Sequence, residues 1–176
     1  YRIFGGLRFY DRKEIKDIIA YLRVLHNSAD SVSLRRIINV PARGIGDTTI
    51  DKLEKAAQQK GVQLYEAATD PAAADIAKAA SGKLREFTSF MERLRTDMGN
   101  LTLTDLARRV IDDSGYIKAL EEERSIEARI RIENLTELLT ATEDFQEQNR
   151  EAGLDAFLDQ VALITDMEHQ SAGDGK

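Results

Sequence analysis

The nine residues from Pro41 to Thr49, with the sequence PARGIGDTT, have the types and spacing of a phosphate-binding turn. Two glycines flank one apolar residue, and the apolar spacing on either side predicts helices over residues 33–40 and 48–59. The first turn of the second helix carries N–H groups without intrahelical partners and a partial positive charge, which suit a phosphate oxygen. Such a hairpin holds a nucleic-acid backbone without reading its bases. A capping glycine followed by an ordinary helix start is the alternative, which the local pattern alone favours, whereas the rest of the chain favours the phosphate-binding turn.

The composition indicates a domain of ordinary size with a hydrophobic core. Of the 176 residues, 42% are hydrophobic and 32% are charged. The chain contains no cysteine, which excludes disulfides and thiolate chemistry. It also has no run of about 18 apolar residues, so we expect no membrane partner and a cytoplasmic location. The chain opens at Tyr1 rather than at a methionine, which suggests a piece of a longer protein.

The charges are distributed unevenly along the chain. Residues 1–60 contain 12 Lys and Arg against 7 Asp and Glu, whereas residues 61–176 contain 13 against 24. The net charge of −6 therefore combines a basic first third, which holds the hairpin, with an acidic remainder. Because an acidic surface repels nucleic acid, any contact with DNA should be local to the hairpin. Chance clustering on solvated helix faces is the alternative explanation.

Helical spacing of apolar residues continues along most of the chain and predicts an all-α fold. We expect a multi-helix domain with helix-hairpin-helix-like elements and a short N-terminal strand segment over residues 1–4. The longest helix is predicted over 125–148. A shorter one is predicted over 71–80, and Ser81-Gly82 should break the chain after it. From Gln170 onward the small and polar residues predict disorder.

The motifs of common active sites are absent from the sequence. It has neither the glycine-rich loop that ends in Gly-Lys-Ser/Thr nor a nucleophile elbow, and it contains only two histidines. The run Glu121–Glu123 points around a helix rather than converging on a cation. We therefore expect no catalytic, cofactor-binding or metal site within these 176 residues.

Several blocks of this sequence resemble the UvrD/PcrA/Rep helicases of superfamily 1, and most of all the PcrA type of Gram-positive bacteria. The first block and the Gly-Ile-Gly block are the most specific, and the resemblance covers nearly the whole chain. The blocks are YRIFGGLRFYDRKEIKD at 1–17, AYLR at 20–23, RIINVPARGIG at 36–46, DSGY at 113–116 and RIENLTEL at 131–138.

The resemblance implies that residues 1–170 are the helical 2B subdomain of such a helicase. Residues 1–10 would form the junction to the motor domain, and 171–176 a disordered tail or linker. The parent protein would be an ATP-dependent 3′-to-5′ DNA helicase of repair and replication that uses ATP and Mg²⁺. This piece would have no motor and no cofactor of its own. Its implied partners are duplex DNA, contacted without sequence preference, the motor domains of the parent chain, and repair or transcription proteins.

The resemblance also assigns DNA-contacting residues to positions of this chain. Backbone N–H groups would bind a phosphate, threonine hydroxyls would add hydrogen bonds, and two basic side chains would add charge, whereas Ile45 would pack inward. A second, weaker contact would lie in the Ser-Gly-Lys triplet, which as an isolated pattern is more often a simple turn. The hairpin positions are Arg43, Gly44, Ile45, Gly46, Asp47, Thr48, Thr49 and Lys52, and the weaker ones are Ser81, Gly82 and Lys83.

Two functional hypotheses follow from these patterns. In the first, the chain is a DNA-contacting regulatory part of a helicase. In the second, it is a helical protein–protein docking module whose hairpin is only structural. The hairpin in the basic third favours the first hypothesis, and the acidic remainder favours the second. Salt separates them, because phosphate binding weakens steeply as salt is added.

Overall fold

α-Helices make up most of the computed structural model, which describes residues 8–174, with side chains through Ser171. No strand occurs among these residues, so the predicted all-α class is confirmed for the described part of the chain. Short 3₁₀ turns at Phe9–Asp11, Pro71–Ala74 and Met98–Asn100 connect some of the helices. The helices are α1 Lys13–His26, α2 Ser31–Ile37, α3 Asp47–Lys60, α4 Leu64–Thr69, α5 Lys78–Asp97, α6 Leu103–Asp113, α7 Tyr116–Glu123, α8 Ile126–Gln148 and α9 Leu154–Asp174.

Capping residues explain where several helices begin and end. The Ser125 and Thr102 hydroxyls accept hydrogen bonds from the first turns of α8 and α6, respectively. The helix that the sequence predicts over 125–148 is therefore confirmed. α2 begins two residues earlier than predicted because the Asp30 carboxylate caps it by accepting from the Ser33 N–H at 3.0 Å. At its other end, α3 stops at Gly61, which has a positive φ of 67°.

The helix boundary predicted at Ser81-Gly82 is wrong. Residues Pro71–Ala74 form only a 3₁₀ turn, and the chain changes direction at Asp75, which has a φ of 54°. α5 then begins at Lys78 and continues through Ser81 and Gly82. A glycine inside a helix costs about 1 kcal/mol relative to alanine, and burial of Leu84 and Phe87 on the same helix outweighs that cost.

The structure describes the C-terminal end of the chain almost completely, so only the prediction for that end can be compared with it. The sequence predicts a disordered tail over 171–176, whereas α9 continues to Asp174. Adding a residue to an existing helix gains a hydrogen bond at small cost, and no proline stops α9 here. The strand predicted over residues 1–4 lies outside the described residues.

The chain divides into two compact units, although the sequence suggests one domain. Unit 2 is Arg23–Asn100, and unit 1 combines the described residues before Arg23 with those after Asn100. Apolar spacing identifies which face of a helix is buried but not which helices share a core, so it misses this division. In unit 1 the buried side chains include Ile15 and Ile18 of α1, Leu135 of α8, and Phe145, whose ring contacts Phe157 edge-on.

A buried polar cluster in unit 1 links the start of α1 to α8. The Glu14 carboxylate is 3% exposed and accepts a hydrogen bond from the Asn134 side-chain N–H at 2.6 Å. The Arg12 guanidinium donates to the Asn134 Oδ1 at 2.7 Å. Asn134 thus stands between a buried carboxylate and a cation and satisfies both, which ties α1 to α8.

A second buried carboxylate of α1 lies one turn further along the helix. Asp17 is 1% exposed and accepts from the Tyr116 hydroxyl at 2.6 Å, and the Lys13 Nζ lies 3.0 Å from the same oxygen. Burial, followed by the hydrogen bond to Asp17, raises the pKa of Tyr116. This tyrosine therefore stays protonated and keeps α7 attached to α1.

Unit 2 contains the hairpin and is built around α2, α3, α4 and α5. Its fully buried side chains include Leu34 and Ile37 of α2, Leu53 of α3, and Leu84 and Met91 of α5. The Arg95 guanidinium donates to the Val24 carbonyl at 3.1 Å, within the last turn of α1. The core of this unit thus lies directly behind the helices that flank the hairpin.

We expect the Tyr65–Glu92 hydrogen bond of unit 2 to be sensitive to alkaline pH. The Tyr65 hydroxyl donates to Glu92 at 2.7 Å, and burial together with this bond raises the pKa of Tyr65 to about 12. Because this value exceeds the unfolded value of 10.0, the stabilisation is complete below pH 10 and lost as the pH approaches 12. Urea unfolding of the wild type and Tyr65→Phe between pH 9 and 12 measures this loss. Equal pH dependence in both proteins would contradict it.

Candidate nucleic-acid interface

The segment between α2 and α3 forms a tight hairpin. The Val40–Pro41 peptide bond is cis, and Gly44 adopts a positive φ of 81°. Ile45 is fully buried, so its predicted inward packing is confirmed. Gly46 is the N-cap of α3, with extended backbone angles of −80° and 173°. The two glycines therefore bracket an apolar anchor, and each has a different backbone conformation.

The N-terminus of α3 is exposed next to this turn. Gly46, Asp47 and Thr48 are exposed, and Thr49 is half-buried. The Ile50 N–H donates to the Gly46 carbonyl at 3.1 Å, so the N–H groups of residues 47–49 precede the first intrahelical bond. A glycine N-cap has no side chain with which to satisfy them. These N–H groups, with the positive end of the helix dipole behind them, are available to an external acceptor.

No feature of the described structure requires a glycine at position 46. Its φ of −80° is open to every residue type, and a Cβ built on it would meet no heavy atom within 4 Å. Gly44 also faces open space, but its positive φ disfavours any other residue. The missing side chain at Gly46 leaves the α3 N-terminus uncovered, which permits a second molecule to approach the backbone closely.

Arg43 does not extend from the hairpin into solvent, as a phosphate contact would require. Its Nη1 donates to the carbonyls of Ile37 at 2.9 Å, Ile38 at 3.3 Å and Val40 at 3.2 Å. The guanidinium also lies over the Phe87 ring, 5.0 Å from its centroid. Arg43 therefore caps the C-terminal end of α2 and packs on α5, and this placement argues against the phosphate contact predicted for it.

Asn39 organises the hairpin, although it is not among the site residues predicted from the sequence. Its Oδ1 accepts from the Arg43 N–H at 2.7 Å and from the Ile45 N–H at 3.1 Å. Asparagine side chains often bond nearby backbone groups in turns, so an Asn two residues before Pro41 is the signal that could have identified it. The carboxamide directs two N–H groups inward on either side of Gly44.

The charges around the α3 N-terminus nearly balance. α3 contains three lysines and three acidic residues, and Asp47 stands in its first turn. Arg35 of α2 pairs with Glu54 and Asp51 of α3, and the Glu54 hydrogen bond raises the pKa of Arg35. Lys52 is exposed on α3. Lys52 is therefore the predicted basic residue best placed to add charge, and the N–H groups must provide most of any anion binding.

The weaker candidate triplet lies in the second turn of α5 rather than in a hairpin. Ser81 is buried, and its hydroxyl donates to the Ile76 carbonyl at 3.4 Å. Lys83 is exposed, with its Nζ 3.9 Å from Glu86, and Gly82 faces open space. Within this triplet only Gly82 and Lys83 remain accessible to another molecule.

The side chains of the described residues include no group of three or more His, Asp or Glu residues that could hold a metal ion. None of the helices between residues 8 and 174 is both long enough and apolar enough to cross a membrane.

Comparison with known proteins identifies the family. The family described as "UvrD-like helicase C-terminal domain" matches residues 1–175 of this chain. The chain belongs to this family. Its relatives include proteins named ATP-dependent DNA helicase PcrA from three species. The Bacillus subtilis protein is 39% identical over 168 residues, which cover 96% of this chain and 23% of the relative.

Two staphylococcal proteins of the same name are similarly related. The Staphylococcus epidermidis protein is 36% identical and the Staphylococcus aureus protein 33% identical, each over 177 residues. Both alignments cover 99% of this chain and 24% of the relative. This UvrD-like chain thus spans about a quarter of the length of the curated relatives it matches.

Proposed function

We propose that this chain is the 2B subdomain of an ATP-dependent 3′-to-5′ DNA helicase and that its α2–α3 hairpin contacts duplex DNA. In this role the subdomain regulates unwinding and does not itself hydrolyse ATP. The observation that carries the proposal is the bare Gly46, which leaves the N–H groups of residues 47–49 open at a helix start. A phosphate oxygen is the ligand that such a helix start suits best.

The other activities of the parent protein belong to residues outside this chain. The 176 residues contain no phosphate-binding loop of the ATPase type, so ATP and Mg²⁺ would bind to a motor elsewhere in a longer protein. We propose that this motor is a partner of the chain, together with repair or transcription proteins, and that the protein is cytoplasmic. The names of the relatives, each an ATP-dependent DNA helicase, support this proposal.

Binding of duplex DNA by the isolated chain should be weak. The Arg43 side chain is held against the C-terminal end of α2, and Asp47 places a negative charge beside the exposed N–H groups. Few counterions are released when only one or two phosphates are contacted. We therefore expect a dissociation constant on the order of 10⁻⁴ M or weaker at physiological salt, without sequence preference.

The first test is the substitution Gly46→Thr. Threonine is a good N-cap and adopts the backbone angles of Gly46, so the fold should persist, while its side chain covers the N–H groups. We expect duplex binding to weaken by about tenfold, which corresponds to the loss of a hydrogen bond to a charged group. Anisotropy of a labelled duplex at low salt measures this change.

Gly99→Thr is the matched control for this test. Gly99 is exposed, faces open space and lacks a positive φ, and it lies outside the hairpin. The control should bind duplex as the wild type does, and circular dichroism should report the same helix content in all three proteins. If Gly46→Thr also binds like the wild type, the hairpin is only structural and the DNA-contact proposal fails.

A docking module is the second candidate function. Apolar side chains are exposed at one-turn spacing on two helices of unit 1: Ile126 and Ile130 on α8, and Leu163 and Met167 on α9. Binding of a protein partner through such residues would change little with salt. A hairpin variant that binds duplex normally, together with salt-independent binding of a protein partner, would favour this function.

A further inference from the structure

The turn between α2 and α3 depends on a single side chain for its internal hydrogen bonds. Asn39 Oδ1 accepts from the N–H groups of both Arg43 and Ile45, the two neighbours of Gly44. A carbonyl oxygen has two lone pairs, so this one atom is fully used. Both bonds are partly buried, where an unpaired N–H group is costly.

These two bonds determine which backbone N–H groups of the hairpin face inward and which face outward. With the N–H groups of residues 43 and 45 turned towards Asn39 and the Ile45 side chain in the core, α3 starts in one defined orientation. The N–H groups that remain available are then those of residues 47–49 at the helix start. If the carboxamide were absent, the residues around Gly44 would have to find other acceptors, and the start of α3 would shift.

We infer that Asn39 is the positioning residue of the hairpin: its side-chain oxygen orients the α3 N-terminus towards a DNA phosphate without touching the DNA. This inference rests on the proposed DNA contact. Asn39 acts through the backbone of Arg43 and Ile45, so any residue at position 39 with an acceptor oxygen at the same reach should preserve the geometry. Aspartate meets this requirement and alanine does not.

The test compares Asn39→Ala and Asn39→Asp with the wild-type chain by amide hydrogen exchange and duplex binding. In Asn39→Ala we expect the amides of Arg43 and Ile45 to exchange about tenfold faster, while those of Leu53 and Phe87 are unchanged. Duplex binding should weaken by about fivefold or more at low salt, because the α3 N-terminus is no longer held. Asn39→Asp should restore slow exchange at both amides.

Two results would overturn this inference. One is wild-type exchange of Arg43 and Ile45 in Asn39→Ala. The other is fast exchange at both amides together with wild-type duplex binding. Gly46→Thr, measured alongside, keeps the two proposals distinguishable. If Gly46→Thr weakens duplex binding and Asn39→Ala does not, the proposed DNA contact is supported and the proposed role of Asn39 is refuted. If neither variant changes binding, the DNA contact itself fails.

Discussion

Arg43→Ala should destabilise the chain by about 2–3 kcal/mol and leave the salt dependence of duplex binding unchanged. The substitution removes charge-assisted hydrogen bonds to the carbonyls of Ile37 and Val40 and the contact with Phe87. Bonds to a charged group contribute about 1.5–3 kcal/mol and a partly buried cation–π contact about 1 kcal/mol, and the two effects overlap. Urea unfolding followed by circular dichroism measures the loss.

Arg85→Ala is the matched control for this first prediction. Arg85 is an exposed arginine on α5, two residues from Phe87, and its removal should change stability by less than about 0.5 kcal/mol. Arg43→Lys should recover only part of the loss, because an ammonium lacks the planar fork of the guanidinium. A stable Arg43→Ala whose salt slope is shallower by about 1 would instead support a phosphate contact.

The second large effect is expected in unit 1, where Asn134→Ala should lower the free energy of unfolding by about 3 kcal/mol. The substitution removes the donor to the buried Glu14 carboxylate and the acceptor for Arg12 in one step. A buried charge without its partner is among the costliest defects that a single substitution makes. Urea unfolding at neutral pH measures the cost.

Two further variants identify the cause of this second loss. Glu133→Ala changes the neighbouring exposed residue of α8 and should be nearly neutral. Combining Asn134→Leu with Glu14→Met removes the charge together with its partner and should recover most of the stability, because an apolar pair of similar size replaces the polar one. If the double variant is as unstable as Asn134→Ala, lost packing rather than the unpaired carboxylate explains the effect.

Local signals in the sequence predict much of this fold. Ser125 marks the start of the helix predicted over 125–148, because a hydroxyl at a helix start satisfies a backbone N–H group locally. The Ser81-Gly82 prediction failed for the opposite reason, since the apolar residues that hold α5 together lie after the glycine and outweigh a local preference. Division into two units depends on which helix faces meet, which periodicity does not encode.

The hairpin shows the same limit at the level of single residues. The inward direction of Ile45 follows from the family resemblance, and the sequence itself locates the turn, because glycines permit a tight backbone path. It does not distinguish Gly44, which needs a positive φ, from Gly46, which does not. The family resemblance, for its part, assigns Arg43 to an outside phosphate. A side chain turns inward where it finds acceptors, such as the backbone carbonyls at the end of α2. The positions of these carbonyls are known only from the three-dimensional structure.

The division of the chain into one continuous and one discontinuous unit has a consequence for synthesis on the ribosome. Unit 2, Arg23–Asn100, is continuous, so it can fold as soon as its last helix has emerged. Glu14 must wait for Asn134, which is made 120 residues later. At bacterial and eukaryotic rates this delay is roughly 6 to 24 seconds. Throughout that interval the Glu14 carboxylate of α1 lacks its final partner, and Asp17 waits for Tyr116 during most of it. Until Asn134 has been made, this segment of α1 is therefore vulnerable to aggregation and to chaperone binding.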